Sequence, residues 1–199
     1  IAYGREFIGF STEETKVFYL NLELPDFVIQ KRLFDMRADL GIMPNEGDGR
    51  FNLINARGKW HGLESLEVFG KQIADKCEAP PVILIDPIYK IHCMDENSTL
   101  DMGELFDGID LLINETQATV IMVHHFKKPS GVKKGEASMH QLCGSNVISR
   151  DMDTFVGISN KDNINFQAHF TLRGHPPRQE DLEVKRRNNL FSIESPFAA

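Results

Sequence analysis

Short apolar runs alternate with longer amphipathic stretches along this chain. Lys16–Leu24 (KVFYLNLEL) is apolar at nearly every position, rich in β-branched and aromatic residues, and stops at Pro25. That pattern predicts a strand buried on both faces and ending at Leu24. Asp26–Leu40 carries Phe27, Ile29, Leu33, Phe34, Met36 and Leu40 and is followed by Gly41, a helix with its stop signal. Pro44–Arg50 (PNEGDGR) is loop chemistry, and Phe51–Asn55 is a short strand. Leu63, Leu66, Phe69, Ile73 and Cys77 mark a second helix. Pro80-Pro81 forces extended backbone ahead of Val82–Asp86 (VILID), which reads as a central parallel strand with a carboxylate at its tip. After the polar stretch Asp95–Asp101, the spacing of Met102, Leu105, Phe106, Ile109, Leu112 and Ile113 predicts a third helix. Asp101 is its expected N-cap, with Glu104 three residues on. Thr119–Val123 (TVIMV) is another buried strand, ending in His124-His125. A loop rich in Lys and Gly and a helical stretch lead to the strand Asp153–Ser159. Asn165–Leu172 and Leu182–Arg186 then alternate, as antiparallel edge strands do.

Strand, helix, strand, helix, strand is the grammar of an α/β fold: a mostly parallel central sheet wrapped by helices, here with antiparallel strands at the C-terminal end. The chain shows no repeat and no linker and reads as a single domain over residues 1–199. At this length, roughly 70% of the unfolded surface can be buried, so no staples are needed. The composition, 41% apolar and 26% charged, excludes disorder. A net charge of −7 excludes a polycation that coats nucleic acid, though not a local basic loop that touches it. No apolar run approaches ~18 residues and no signal peptide is seen, so the expected location is cytoplasmic, away from membranes. Cys77, Cys93 and Cys143 form no CxxC pair and read as reduced thiols.

In parallel sheets, ligands collect at the C-terminal ends of the strands. That rule selects Glu23, Asp86 and the pair His124-His125, each at or near the end of a predicted strand. Alone, each has a capping or packing explanation; all three at neighbouring strand ends point to chemistry. Metal-assisted phosphoryl transfer needs such a set. One carboxylate holds the water shell of Mg²⁺, a second orients or deprotonates the attacking water, and a polar group on a third strand senses the γ-phosphate.

The run VILIDPIYKIHCMDENS, then TVIMVHHFKKPSG, then CGSNVISRDMD, resembles the RecA-like AAA ATPases of the RepA replicative-helicase type, common in plasmids, phages and prophages. IAYGREFIGF is similar to the end of the helix that follows the phosphate-binding P-loop in that family. KVFYLNLEL with Arg32 is similar to its acid-bearing strand and following helix, and FNLINARG to its next strand. The resemblance covers roughly residues 1–160. It implies ATP and Mg²⁺ as cofactors, with Asp86 acting on Mg²⁺ through water, Glu23 as general base and His125 as γ-phosphate sensor. It also implies single-stranded DNA as partner and a homo-oligomeric ring, a hexamer by analogy. Lys127, Lys128, Lys133 and Lys134 fall in the segment that in such helicases reaches toward the central channel; a solvated loop explains them equally well.

The chain departs from the pattern in two places. No G-x-x-x-x-G-K-[ST] occurs: Gly58-Lys59 is followed by Trp60, and Gly70-Lys71 has Ser65 where the first Gly belongs. Since the chain opens at Ile1 rather than Met, the expectation is a domain truncated just after its P-loop and inactive in that form. Where RepA helicase places the arginine that enters a neighbour's site, this chain places Asp153, leaving Arg150 and Arg173 as candidates. Two alternatives stand beside the ATPase. One is a non-catalytic RecA-like module for assembly or nucleic-acid binding. The other is a metal-dependent hydrolase using His92, Cys93, His124, His125 or His140 with Asp86.

Overall fold

The computed structural model describes residues 1–42, 49–92, 94–95, 97–125, 151–174 and 181–193. Four strands form a parallel sheet: β1 (Val17–Asn21), β2 (Phe51–Asn55), β3 (Val82–Asp86) and β4 (Thr119–Met122), in the order β2-β1-β3-β4. The register pairs Phe18 with Ile83 and Leu20 with Ile85. These four belong to one buried cluster with Leu66, Phe69 and Ile73 of α2 (Glu64–Ala74) and Met102, Leu105, Ile109 and Leu112 of α3 (Thr99–Thr116). One sheet face is thus sealed by two packed helices. At Gly70 an added Cβ would lie 2.9 Å from Glu115 Oε2 and 3.0 Å from Leu112 Cδ1, so glycine permits the close approach of α2 to α3.

The opposite face carries Val17, Tyr19 and Asn21 of β1 in register with Val82, Leu84 and Asp86 of β3. α1 (Asp26–Asp39) follows β1, but its apolar residues do not form one stripe. At about 100° per residue, Ile29, Leu33, Met36 and Leu40 share one side, while Phe27 and Phe34 lie nearly opposite. Accordingly Ile29 is buried, whereas Phe27 and Phe34 are 75% and 68% exposed.

The C-terminal strands do not extend the edge of the parallel sheet, as their alternation suggested. β5 (Thr154–Asn160), β6 (Asn165–Leu172), β7 (Leu182–Arg187) and β8 (Leu190–Ile193) form an antiparallel sheet of their own, in sequence order. Its hairpins satisfy their hydrogen bonds locally, so it needs no edge of the first sheet. β8, a four-residue strand behind the tight turn at Asn188, is an element the pattern did not reveal.

The N-terminal segment is not the end of a helix. It turns at Gly4 and at Gly9, both with positive φ, and Phe7 and Phe10 form a β-bridge. Ala2 and Tyr3 pack on Val17, Phe51 and Val82, the first residues of β1, β2 and β3. Ile8 is buried with Ala168 and Val184 of the antiparallel sheet, and Phe10 stacks at 5.7 Å on Phe170. Residues 1–10 therefore touch both sheets. A Cβ on Gly9 would sit 2.7 Å from Ile193 Cδ1, in a conformation that side chains avoid.

α3 is capped by Ser98, not Asp101. The Ser98 hydroxyl accepts from the Asp101 amide at 3.3 Å and donates to Asp101 Oδ1 at 2.9 Å, while Asp101 Oδ2 accepts from the Asp95 amide at 3.0 Å. Asp101, at the third helical position, thus braces the cap by tying its hydroxyl to the preceding loop, while the Ser98 amide bonds to the Asp95 carbonyl. Ser98→Ala is expected to lower stability by about 1 kcal/mol, read from the urea unfolding midpoint; an unchanged midpoint would show that the Ser98 hydroxyl contributes no cap.

Candidate functional site

β1 stops three residues earlier than its apolar run suggests. Asn21, 1% exposed, ends it by replacing strand pairing with side-chain bonds. Its amide nitrogen donates to the Leu24 carbonyl at 2.8 Å and to Asn55 Oδ1 at 2.7 Å, and its amide oxygen accepts from the Leu24 amide at 3.0 Å. Asn55 in turn donates to Asp26 Oδ1 at 2.7 Å, joining the tip of β2 to the first turn of α1. The three-residue turn held this way lifts Glu23 out of the strand and exposes it.

Asp86, the last residue of β3, lies in register with Asn21 and is half-buried. Tyr19 stands two residues earlier on the same face of β1, a diagonal neighbour within reach of a long side chain. Its hydroxyl donates to Asp86 Oδ2 at 2.5 Å. Burial first, then the hydrogen bond and the charge of Asp86, hold the Tyr19 phenol protonated far above its ordinary range, with Arg32 opposing. The phenol is therefore a fixed donor at neutral pH. It occupies one carboxylate oxygen and orients the other.

β4 ends at Met122, and Val123 still pairs with Ile85 through its amide at 2.9 Å, so His124 and His125 leave the sheet just beyond the tip of β3. His125 is exposed, and its ring lies 6.3 Å from that of Tyr89, inclined by 50°. Tyr89 sits in a single 3-10 turn, Ile88–Lys90, directly after Asp86-Pro87. Its hydroxyl donates to Glu23 Oε1 at 3.3 Å. The Lys90 ammonium lies 5.2 Å from the centre of the same ring.

The structure thus brings Glu23, Asp86 and His125 to the C-terminal edge of three adjacent strands. Sequence reasoning missed Tyr19, Asn21 and Tyr89, which join or present them. Arg173 lies elsewhere, exposed at the end of β6, its amide donating to the Asp153 carbonyl at 2.7 Å. Arg150, Lys127, Lys128, Lys133, Lys134, Cys93 and His140 fall outside the described residues. Among the described residues, no three His, Cys, Asp or Glu side chains group closely enough to hold a metal by themselves. The hydrolase set of His92, His124, His125 and Asp86 is therefore not assembled. What is present suits a magnesium ion that keeps most of its waters and takes one or two carboxylates, with phosphate supplying the rest.

A family model described as an AAA domain matches residues 1–131, well over half of the sequence. The chain belongs to the AAA domain family. Its fold is similar to that in the crystal structure of the RadB recombinase, with a TM-score of 0.64 over 91% of this chain and 80% of that one, at 13% sequence identity. No curated protein matches it. The family and the fold together make this a RecA-like AAA domain, from a family of nucleotide-binding ATPases. No helix among the described residues is long and apolar enough to cross a membrane.

Asn21→Ala removes three hydrogen bonds from a buried position. It is expected to cost about 2 kcal/mol and to raise the hydrogen-exchange rate of the Leu24 amide selectively. Unchanged protection at Leu24 would mean that the turn holds without the amide.

Proposed function

We propose that this domain hydrolyses ATP as the motor of a RepA-type replicative DNA helicase or a related DNA-replication or recombination ATPase. The observation that supports this most is the convergence of Glu23, Asp86 and His125 at the ends of β1, β3 and β4 in an AAA domain. Asp86, oriented by Tyr19, is the residue that holds the magnesium water shell. A magnesium ion held there would supply neutralisation of the phosphate charge that grows in the transition state. Glu23, exposed on its turn, takes the proton of the attacking water. His125 lies on the far side of Asp86 from Glu23 and reports the γ-phosphate. No P-loop motif, the usual cradle of backbone N–H groups and Lys, occurs in these 199 residues. Single-stranded DNA is the polymer proposed, and a homo-oligomeric ring the working form. In that ring Arg150 or Arg173 enters the adjacent site, and Lys127, Lys128, Lys133 and Lys134 approach the DNA.

The test is turnover of the full-length protein. Glu23→Gln is expected to keep Mg-ATP affinity and lose at least about a hundredfold in kcat, while Asp86→Asn loses the magnesium dependence of binding as well. Glu23→Gln turning over at the wild-type rate would remove the proposed base. His125→Ala is expected to melt within a few degrees of wild type and to lose stimulation of turnover by single-stranded DNA. Retained stimulation would take the sensor role from His125.

A further inference from the structure

The order β1-β3-β4 separates the acid from the imidazole by two strand spacings, roughly 10 Å. Glu23 and His125 thus follow strands that are not neighbours in the sheet. The 3-10 turn after β3 places a side chain between them: Tyr89 leaves the middle strand, gives its hydroxyl to Glu23 Oε1 at 3.3 Å and lays its ring 6.3 Å from that of His125. We infer that Tyr89 is a positioning residue. Its hydroxyl sets the direction of the Glu23 carboxylate, and its ring transmits the position of His125 to that carboxylate. The inference rests on the hydrolytic reading above.

The physical reasons are geometric. Glu23 sits exposed on a turn, and a carboxylate there samples several rotamers unless something holds it. The bonds of Asn21 with Leu24 and Asn55, and of the Leu22 amide with the Asp86 carbonyl, fix the backbone of the turn and not the Glu23 side chain. Among the described residues, the Tyr89 hydroxyl is the side-chain donor that reaches the carboxylate. Its bond is long, so Glu23 is steered rather than locked, which suits a group that must turn toward water. The ring cannot move independently of the hydroxyl, because phenol is rigid. A His125 that shifts toward a phosphate changes what the ring packs against and so moves the hydroxyl. The Lys90 ammonium, 5.2 Å from the centre of the same ring, adds a cation–π contact that helps hold the ring in place.

Two measurements on the full-length protein test this. In the first, Tyr89→Phe is expected to lower kcat about tenfold, the factor implied by losing one hydrogen bond to a charged group, with KM for ATP unchanged. The same substitution added to Glu23→Gln should have no further effect. The second needs no turnover. In spectra of the histidine ring protons, Glu23→Gln should shift the His125 resonance, and that shift should vanish when Tyr89→Ala is already present. A His125 shift that is absent, or that persists without the Tyr89 ring, overturns the transmission. If Glu23→Gln abolishes hydrolysis while Tyr89→Phe turns over normally, the inference falls and the hydrolytic reading stands. If Glu23→Gln hydrolyses normally, that reading falls and takes the kinetic role of Tyr89 with it.

Discussion

The side chain of Asn21 replaces the backbone bonds that β1 gives up when it leaves the sheet. A strand that ends in the interior leaves N–H and C=O groups that water cannot reach. Here one buried amide satisfies the Leu24 amide and carbonyl together and reaches the next strand through Asn55. The chain can therefore turn within three residues and enter α1 at Asp26. The position of Glu23, the start of α1 and the alignment of the tips of β1 and β2 all follow from that amide. Substituting an apolar residue of similar size would keep the packing and lose the turn, because Leu would leave the same backbone groups unpaired.

The same edge shows how a buried face can prepare a charged site. Leu84 and Asp86 alternate down one side of β3, with Tyr19 and Asn21 opposite on β1. Both polar groups of β1 on this face are committed to fixed bonds, Asn21 to the turn and Tyr19 to Asp86. Among the described residues, the carboxylate is thus held by a neutral donor and not by an ion pair. A neutral partner orients a carboxylate while leaving its charge available for a divalent ion, whereas a salt bridge would compete with the ion for it.

Much of this was legible in the chain. The apolar run Val82–Asp86 gave a central parallel strand because double burial forces near-continuous hydrophobicity, whereas Thr119–Val123, expected to be buried likewise, and Phe51–Asn55 are edge strands of the sheet and only partly covered. The last residue of VILID pointed to Asp86 at a strand tip for the same reason. Tyr19 was not legible as a hydrogen-bond donor: in an apolar strand a tyrosine reads as one more aromatic, and only the diagonal register puts its hydroxyl on Asp86. Asn21 was hidden inside the run that led to Leu24, since a single polar residue does not mark a strand end unless its partners are known. Tyr89 lay in a segment too short to show a period. α1 was readable as a helix, yet the two opposed groups of apolar residues on it could not say which one meets the sheet. The antiparallel strands were visible through their alternation, but period two does not state which sheet a strand joins.

The attachment of the second sheet has a mechanical consequence. Residues 1–10 grip the first residues of β1, β2 and β3 and the core of the antiparallel sheet. Arg37, near the end of α1, donates to the Tyr3 hydroxyl at 2.5 Å, and Asn189 in the β7–β8 turn donates to Asp39 at 2.8 Å. These moorings lie at the end of the parallel sheet opposite to Glu23 and Asp86. A load on the antiparallel sheet is therefore delivered along the strands from their starting ends and arrives at the acids as a push or pull on strand length, the stiffest direction of a sheet. Sideways leverage on the acids is left to whatever surface meets the strand tips themselves.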